Sequence, residues 1–132
     1  MPSKITEVVA ALLHENGRIL VFQRPAHKAR GLLWEFPGGK TEPGETPQEA
    51  LIRECREELG CRITVGEPFA EVTYVYPDLT VHLTVFHAAV AEGQIRLLEH
   101  HAFCAADAEA LRTLPFCPAD QPILDKLLAE YF

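Results

Sequence analysis

Between residues 25 and 44 the chain carries Pro25, Gly31, Pro37, Gly38, Gly39, Pro43 and Gly44, a density of breakers that no helix or central strand tolerates. Directly after it comes a strong helix start. Thr46 is placed to cap, Pro47 occupies the first helical position, and Glu49 stands three residues after the cap, which completes a capping box. Ala50, Leu51, Cys55 and Leu59 then give an apolar stripe at helical spacing, and Gly60 ends it. Long ordered loops in compact domains are often functional. A long loop that feeds a capped amphipathic helix must therefore be placed by other elements that cover it.

The flanking segments supply those elements. Residues 4–13 hold a nearly continuous apolar run, Glu15-Asn16-Gly17 has turn chemistry, and residues 18–24 (RILVFQR) alternate into a second strand, so the two are expected to form a hairpin. Residues 62–65, 69–76 and 79–90 read as strands, with Pro77-Asp78 turning between the last two and a further short strand near 95–98. Asp107 to Leu114 reads as a short helix, and a last helix runs from near Asp120 to near Tyr131. Strands alternating with helices predict one domain, residues 1–132, of the α/β (α+β) class with a mixed sheet between helices.

Charge narrows the function. With 12 Lys+Arg against 19 Asp+Glu the net charge is −7, which disfavours a nucleic acid polymer as partner because phosphate backbones need clustered cations. An acidic chain still binds a polyphosphate when a divalent cation bridges the two. No run reaches the ~20 apolar residues of a membrane span. Residues 1–7 lack a signal-peptide core, so a cytoplasmic location without membrane attachment is expected. Cys55, Cys61, Cys104 and Cys117 form no CxxC pair and no zinc-like spacing, and read as reduced thiols.

On the helix, Glu54, Glu57 and Glu58 stand three and four apart, so three carboxylates share one side. One reading is a solvated face on which Arg53 offsets the repulsion. The other is a Mg²⁺ site, since a hard cation takes oxygen ligands and Gly38-Gly39 allows the backbone to come close.

The segment GGKTEPGETPQEALIRECREELGC (residues 38–61) bears on that choice. It resembles the signature of the Nudix hydrolases, G-x5-E-x7-R-E-U-x-E-E-x-G-U, with Gly39, Glu45, Arg53, Glu54, Glu57, Glu58 and Gly60 in place and cysteines, Cys55 and Cys61, at the two aliphatic positions. The resemblance extends in the MutT manner over Val8–Leu13, the strand ending at Arg24, Gly31–Lys40 and Pro115–Pro122. It implies an α/β/α sandwich and an enzyme that cuts a nucleoside triphosphate to a monophosphate and pyrophosphate with Mg²⁺ or Mn²⁺.

The same resemblance implies residue roles. The Gly38 carbonyl, Glu54, Glu57 and Glu58 are implied as metal ligands. Glu99 on a later loop is the candidate further ligand or base, although Ala102-Phe103-Cys104 after it departs from the family pattern and leaves an ordinary surface glutamate as the competing reading. Glu57 or Glu99 would accept the water's proton. Arg53, with Glu45, is expected to orient the glutamates. Arg24 and Lys40 are candidates to meet the phosphates, and Phe36 and Trp34 to pack on the base unless they are core. Asp120 stands where 8-oxoguanine-reading relatives carry Asn and where CTP-directed relatives carry Asp; its competing role is to cap the last helix.

An ionised Asp120 only accepts hydrogen bonds, which favours guanine's paired donors over cytosine's N3 acceptor. The leading expectation is therefore a nucleotide-pool sanitising 8-oxo-dGTP pyrophosphohydrolase connected with DNA repair. A CTP or 5-methyl-dCTP pyrophosphohydrolase is the alternative, and a non-catalytic nucleotide-binding module or a structural interaction domain stands further off. A monomer or homodimer acting on a small-molecule nucleoside triphosphate is expected.

Overall fold

A strand that is apolar at successive positions can bury both faces only inside a sheet covered on both sides. The run Val9–Leu13 lies in such a place. The computed structural model describes residues 5–132. Residue 4 of the expected first strand and the leader reading of residues 1–4 fall outside them. The chain runs β1 (Ile5–Glu15), β2 (Arg18–Gln23), β3 (Trp34–Glu35), β4 (Gly38–Lys40), α1 (Pro47–Leu59), β5 (Arg62–Val75), β6 (Thr80–Glu92), β7 (Ala102–Ala106), α2 (Ala108–Thr113), a 3-10 turn at Pro118–Asp120, and α3 (Gln121–Tyr131).

β1 and β2 form the expected hairpin. Asn16 and Gly17 both have positive φ, 51° and 78°, as a two-residue turn matched to strand twist requires. On its other side β1 runs parallel to β6, from Ile5 opposite Thr80 to Leu13 opposite Ala88, and β6 pairs antiparallel with β5. β3 and β7 pair with β2, and β4 with β1, which gives one mixed seven-stranded sheet. Val9, Ala11 and Leu13 pack with Leu51, Cys55 and Leu59 of α1. Ala10 and Leu12 face the other way, among Leu111 of α2 and Ile123, Leu124 and Leu127 of α3. The layers are helix, sheet, helix. Among the described residues no helix is long and apolar enough to cross a membrane.

Four sequence expectations change. The breaker-rich segment 25–44 is not loop throughout, because β3 and β4 gain partners from β2 and β1. The two strands expected at 62–65 and 69–76 are one strand, β5, whose register shifts on either side of Pro68, a residue with no N–H for the ladder. Residues 95–98 are not a strand: the Arg96 and Leu98 N–H groups donate to the Leu59 and Glu58 carbonyls and so satisfy the end of α1. β7 was not expected.

Candidate active site

β4 lies against β1, with Gly38 opposite Ala10 and Gly39 opposite Val9. A Cβ on Gly38, where φ is 156°, would stand 1.9 Å from the Val9 carbonyl oxygen. A Cβ on Gly39 would stand 2.5 Å from the Glu54 carboxylate. Glycine at these two positions is what allows the strand to fit there and the carboxylate to rest on its backbone.

The helix beneath is started as the sequence implies. The Thr46 hydroxyl accepts from Glu49 N–H at 3.1 Å, the Glu49 carboxylate accepts from Thr46 N–H at 2.9 Å, and Gly60, with φ 66°, donates to the Arg56 carbonyl. One turn in, Arg53 gathers the acids. Its guanidinium donates twice to Glu45 (2.7 and 2.9 Å), once to Glu54 (2.9 Å), once to Glu57 (3.3 Å) and once to the Lys40 carbonyl (3.1 Å). This fork raises the Arg53 pKa, chiefly through Glu45, and holds Glu45 below the usual carboxylate range.

Glu58 turns the other way, into the protein, and is buried. Burial, with Glu35, Glu54 and Glu99 adding, pushes its pKa up to about 9, while the Gly38 N–H pulls in the opposite direction. Its Oε1 is buried with no hydrogen-bond partner. Around it runs a polar chain that the sequence reading missed. Arg24 donates to Glu35 at 2.9 Å, and His100 Nε2 lies 3.0 Å from Glu35 and 3.9 Å from Glu58. The available signal was Glu35 itself, an acid between the aromatics Trp34 and Phe36.

These groups open onto a cleft of about 680 Å³. Arg24, Phe36, Gly38, Lys40, Glu54, Glu58, Glu99 and Asp120 all line it. Glu99 is half-exposed and reaches Lys28 at 3.5 Å. Gly38, Gly39, Glu54, Glu58 and Glu99 make an acidic end; Phe36, Tyr76, Cys117, Ala119 and Asp120 line it elsewhere, with Arg24, Lys28, Arg30 and Lys40 also on the wall. Three expected residues do not line it. Arg53 works from behind. Glu57 is 55% exposed and held by Arg53 one helical turn back. Trp34 packs in the core, its backbone tied to Pro115 and Cys117; Phe36 is buried in the same core and only borders the cleft, which Tyr76 also lines.

Asp120 does not cap α3 through its side chain. It is the last residue of the 3-10 turn, with helical φ −86° and ψ −10° in place of the extended conformation of a cap, and its carboxyl makes no capping bond. It is buried, and its pKa stands well above the ordinary value through burial and then Glu35, against the pull of Arg24. Burial therefore favours the protonated form of this group, which can donate as well as accept.

Among the described residues no three His, Cys, Asp or Glu side chains converge into a ready-made cage. A Mg²⁺ ion does not require one, because it keeps several waters and takes one or two carboxylates together with substrate phosphates. Glu54 and Glu58 beside Gly38, with Glu99 on the same wall, fit that demand. The unpartnered Glu58 oxygen fits it as well, since a buried acceptor is costly unless something binds it.

Comparison with known proteins places the chain among relatives in sequence and fold. Residues 8–126 match the family model described as NUDIX domain. The chain is 41% identical over 126 residues to a CTP pyrophosphohydrolase of Escherichia coli K12, covering 96% of this chain and 93% of the relative. It is 34% identical over 105 residues to an 8-oxo-dGTP diphosphatase of Proteus vulgaris, covering 79% and 92%. The solution structure of the E. coli ORF135 protein superposes with a TM-score of 0.82 at 42% identity, covering 96% of this chain and 91% of that one.

Proposed function

The chain belongs to the Nudix family, and from that premise we propose that it is a divalent-cation-dependent pyrophosphohydrolase that cuts cytosine-type nucleoside triphosphates, CTP first, to the monophosphate and pyrophosphate. Glu54, Glu58, Glu99 and the Gly38 carbonyl hold the cation, with Glu57 brought in from the edge. A bound Mg²⁺ or Mn²⁺ supplies neutralisation of the phosphate oxygens and acidification of a water. Arg24, Lys28 and Lys40 meet the triphosphate along the cleft wall, Arg53 keeps the glutamates in place, and an exposed carboxylate, Glu57 or Glu99, accepts the proton of the attacking water. Asp120 reads the edge of the base, in a part of the cleft that the largely buried Phe36 borders.

The observation that carries the cytosine reading is the 41% identity, across nearly the whole chain, to a CTP pyrophosphohydrolase. It reverses the order of the sequence-based expectation, which placed 8-oxo-dGTP first because an ionised Asp120 would meet the N3 lone pair of cytosine. Burial works against that objection. In the protonated form that burial favours, Asp120 donates its O–H to N3 and accepts from N4–H₂. The second reading, 8-oxo-dGTP, is supported by the Proteus vulgaris relative, and the O6/N7–H edge of 8-oxoguanine presents the same acceptor–donor pair.

Steady-state kcat/KM over CTP, dCTP, 5-methyl-dCTP, 8-oxo-dGTP and the other nucleotides with Mg²⁺, read as pyrophosphate and monophosphate, tests the assignment. CTP or its relatives should lead. Asp120→Asn, which keeps one donor and one acceptor, should retain selectivity, and Asp120→Ala should cost the best substrate roughly 1–3 kcal/mol of recognition. A lead by 8-oxo-dGTP makes the second reading correct, and an Ala variant that affects every base equally removes Asp120 from the base.

A further inference from the structure

The cleft wall that carries Asp120 is not set by α3 alone. Asp120 follows Ala119, and the Ala119 N–H donates at 2.9 Å to the hydroxyl of Tyr76, which stands just beyond β5 on the turn to β6. The Asp120 N–H closes the 3-10 turn onto Cys117. Tyr76 is held in turn. Its own N–H bonds to the Leu79 carbonyl, and the guanidinium of Arg30 lies over its ring, 4.1 Å from the centroid, while pairing with Asp78 at 3.1 Å. Arg30 belongs to the segment between β2 and β3, where it adopts φ 57°, a conformation that a residue with a side chain rarely takes without outside support. Arg30, Tyr76, Ala119 and Asp120 all line the same cleft.

We infer that Tyr76 is a positioning residue for base selection, setting the height of the Ala119–Asp120 turn, and that Arg30 is the clamp that fixes Tyr76 and joins the segment before β3 to the same wall. The inference rests on the proposal that Asp120 reads the base. Its logic is a relay of contacts from three separate stretches of chain: Arg30, then Tyr76 with Asp78, then Ala119 and Asp120. Two of the links are a cation over an aromatic face and a hydrogen bond to a backbone N–H, and both hold a geometry without themselves needing to touch the base. None of the residues at the acidic end takes part. The relay therefore acts on which base is accepted and leaves the handling of the triphosphate to Arg24, Lys40 and the glutamates.

Tyr76→Phe removes only the acceptor for Ala119 N–H, Arg30→Ala removes the clamp, and Arg30→Lys keeps a cation able to reach both the ring and Asp78. The measurement is kcat/KM for each of the four common nucleoside triphosphates with Mg²⁺, beside a thermal melt. In Tyr76→Phe and Arg30→Ala the ratio between the best and the poorest nucleotide should fall roughly five- to tenfold, with the loss lying more in KM of the best nucleotide than in kcat. Arg30→Lys should recover most of that ratio. A melt that shifts while the ratio stays at the wild-type value makes Tyr76 a merely structural residue and overturns the inference. A loss equal on all four nucleotides makes Arg30 a phosphate contact and also overturns it. Should Tyr76→Phe fail to fold, the Arg30 pair decides alone. A wild-type enzyme equally active on every base refutes the base-reading role of Asp120 itself, whereas a selective wild type with equally selective variants refutes only the relay.

Discussion

Replacing Glu58 by Gln preserves the volume of a buried side chain while removing the proton it exchanges. In the folded protein without metal, Glu58 holds its proton up to about pH 9 against an ordinary carboxylate value of 4.5. Between those values the folded chain binds more protons than the unfolded one. Stability contributed by this group is therefore complete at low pH and falls as pH rises through the window. Each pH unit there withdraws up to about 1.4 kcal/mol, so the step from pH 6 to pH 8 withdraws up to roughly 2–3 kcal/mol. For a domain of this size that is a drop in Tm of up to roughly 6–15 °C. Asp120 has the same sign, so the useful quantity is the difference between wild type and Glu58→Gln, each melted in EDTA at pH 6, 7 and 8. The Gln variant should show the shallower slope. Adding Mg²⁺ should stabilise the wild type more at pH 8 than at pH 6, because the ligand must give up its proton to bind. Titration calorimetry at pH 7 in two buffers of different ionisation enthalpy should then show about one proton released per ion bound. Parallel slopes for the two proteins, or metal binding without proton release, would refute the reasoning.

Hydrolysis should stop in EDTA and return with Mg²⁺ or Mn²⁺; full turnover in metal-free buffer would contradict the proposed mechanism. Glu54→Gln should lower kcat on the order of 10²-fold at saturating metal, and Glu57→Gln should do the same if the exposed carboxylate is drawn to the ion; an unchanged kcat with intact metal binding returns either residue to the Arg53 ion-pair cluster. Gly39→Ala places a methyl 2.5 Å from the Glu54 carboxylate, so activity should fall by more than about tenfold while the melt moves little, since a side chain can swing away. Gly38→Ala meets the backbone of β1 at 1.9 Å and should instead lose folding stability, roughly 3 kcal/mol or more by chemical denaturation.

Where local chemistry decides structure, the sequence was legible. Thr46, Pro47, Glu49 and Gly60 bound α1 as their residue types require, and Asn16-Gly17 closes the first hairpin. The α/β class followed from the alternation of strand runs with helices. What could not be read depends on partners distant in the chain. β7, Ala-Phe-Cys-Ala-Ala, has little strand propensity of its own and exists because β2 offers an edge. Residues 95–98 look like a strand by composition, yet the N–H groups of Arg96 and Leu98 are taken by the end of α1. The carboxylates of α1 were visible from their spacing, but the inward turn of Glu58, and its link to Glu35 through His100, required the packing of three segments. Asp120 was singled out from the sequence and lines the cleft, but its burial, which raises its pKa, was not legible because burial is not a property of its neighbours in sequence.

The parallel pairing of β1 with β6 has a consequence for how the protein is made. β1 is synthesised well before the strand that covers its second edge, since Ile5 waits for Thr80, 75 residues later in the chain. At ordinary ribosomal rates that interval is on the order of 4–15 s. During it, β2 and β4 protect one side of an apolar strand while the other offers open N–H and C=O groups to any neighbouring chain. The nascent protein therefore passes through a stage in which its most central strand is an edge, open to pairing with a neighbouring chain.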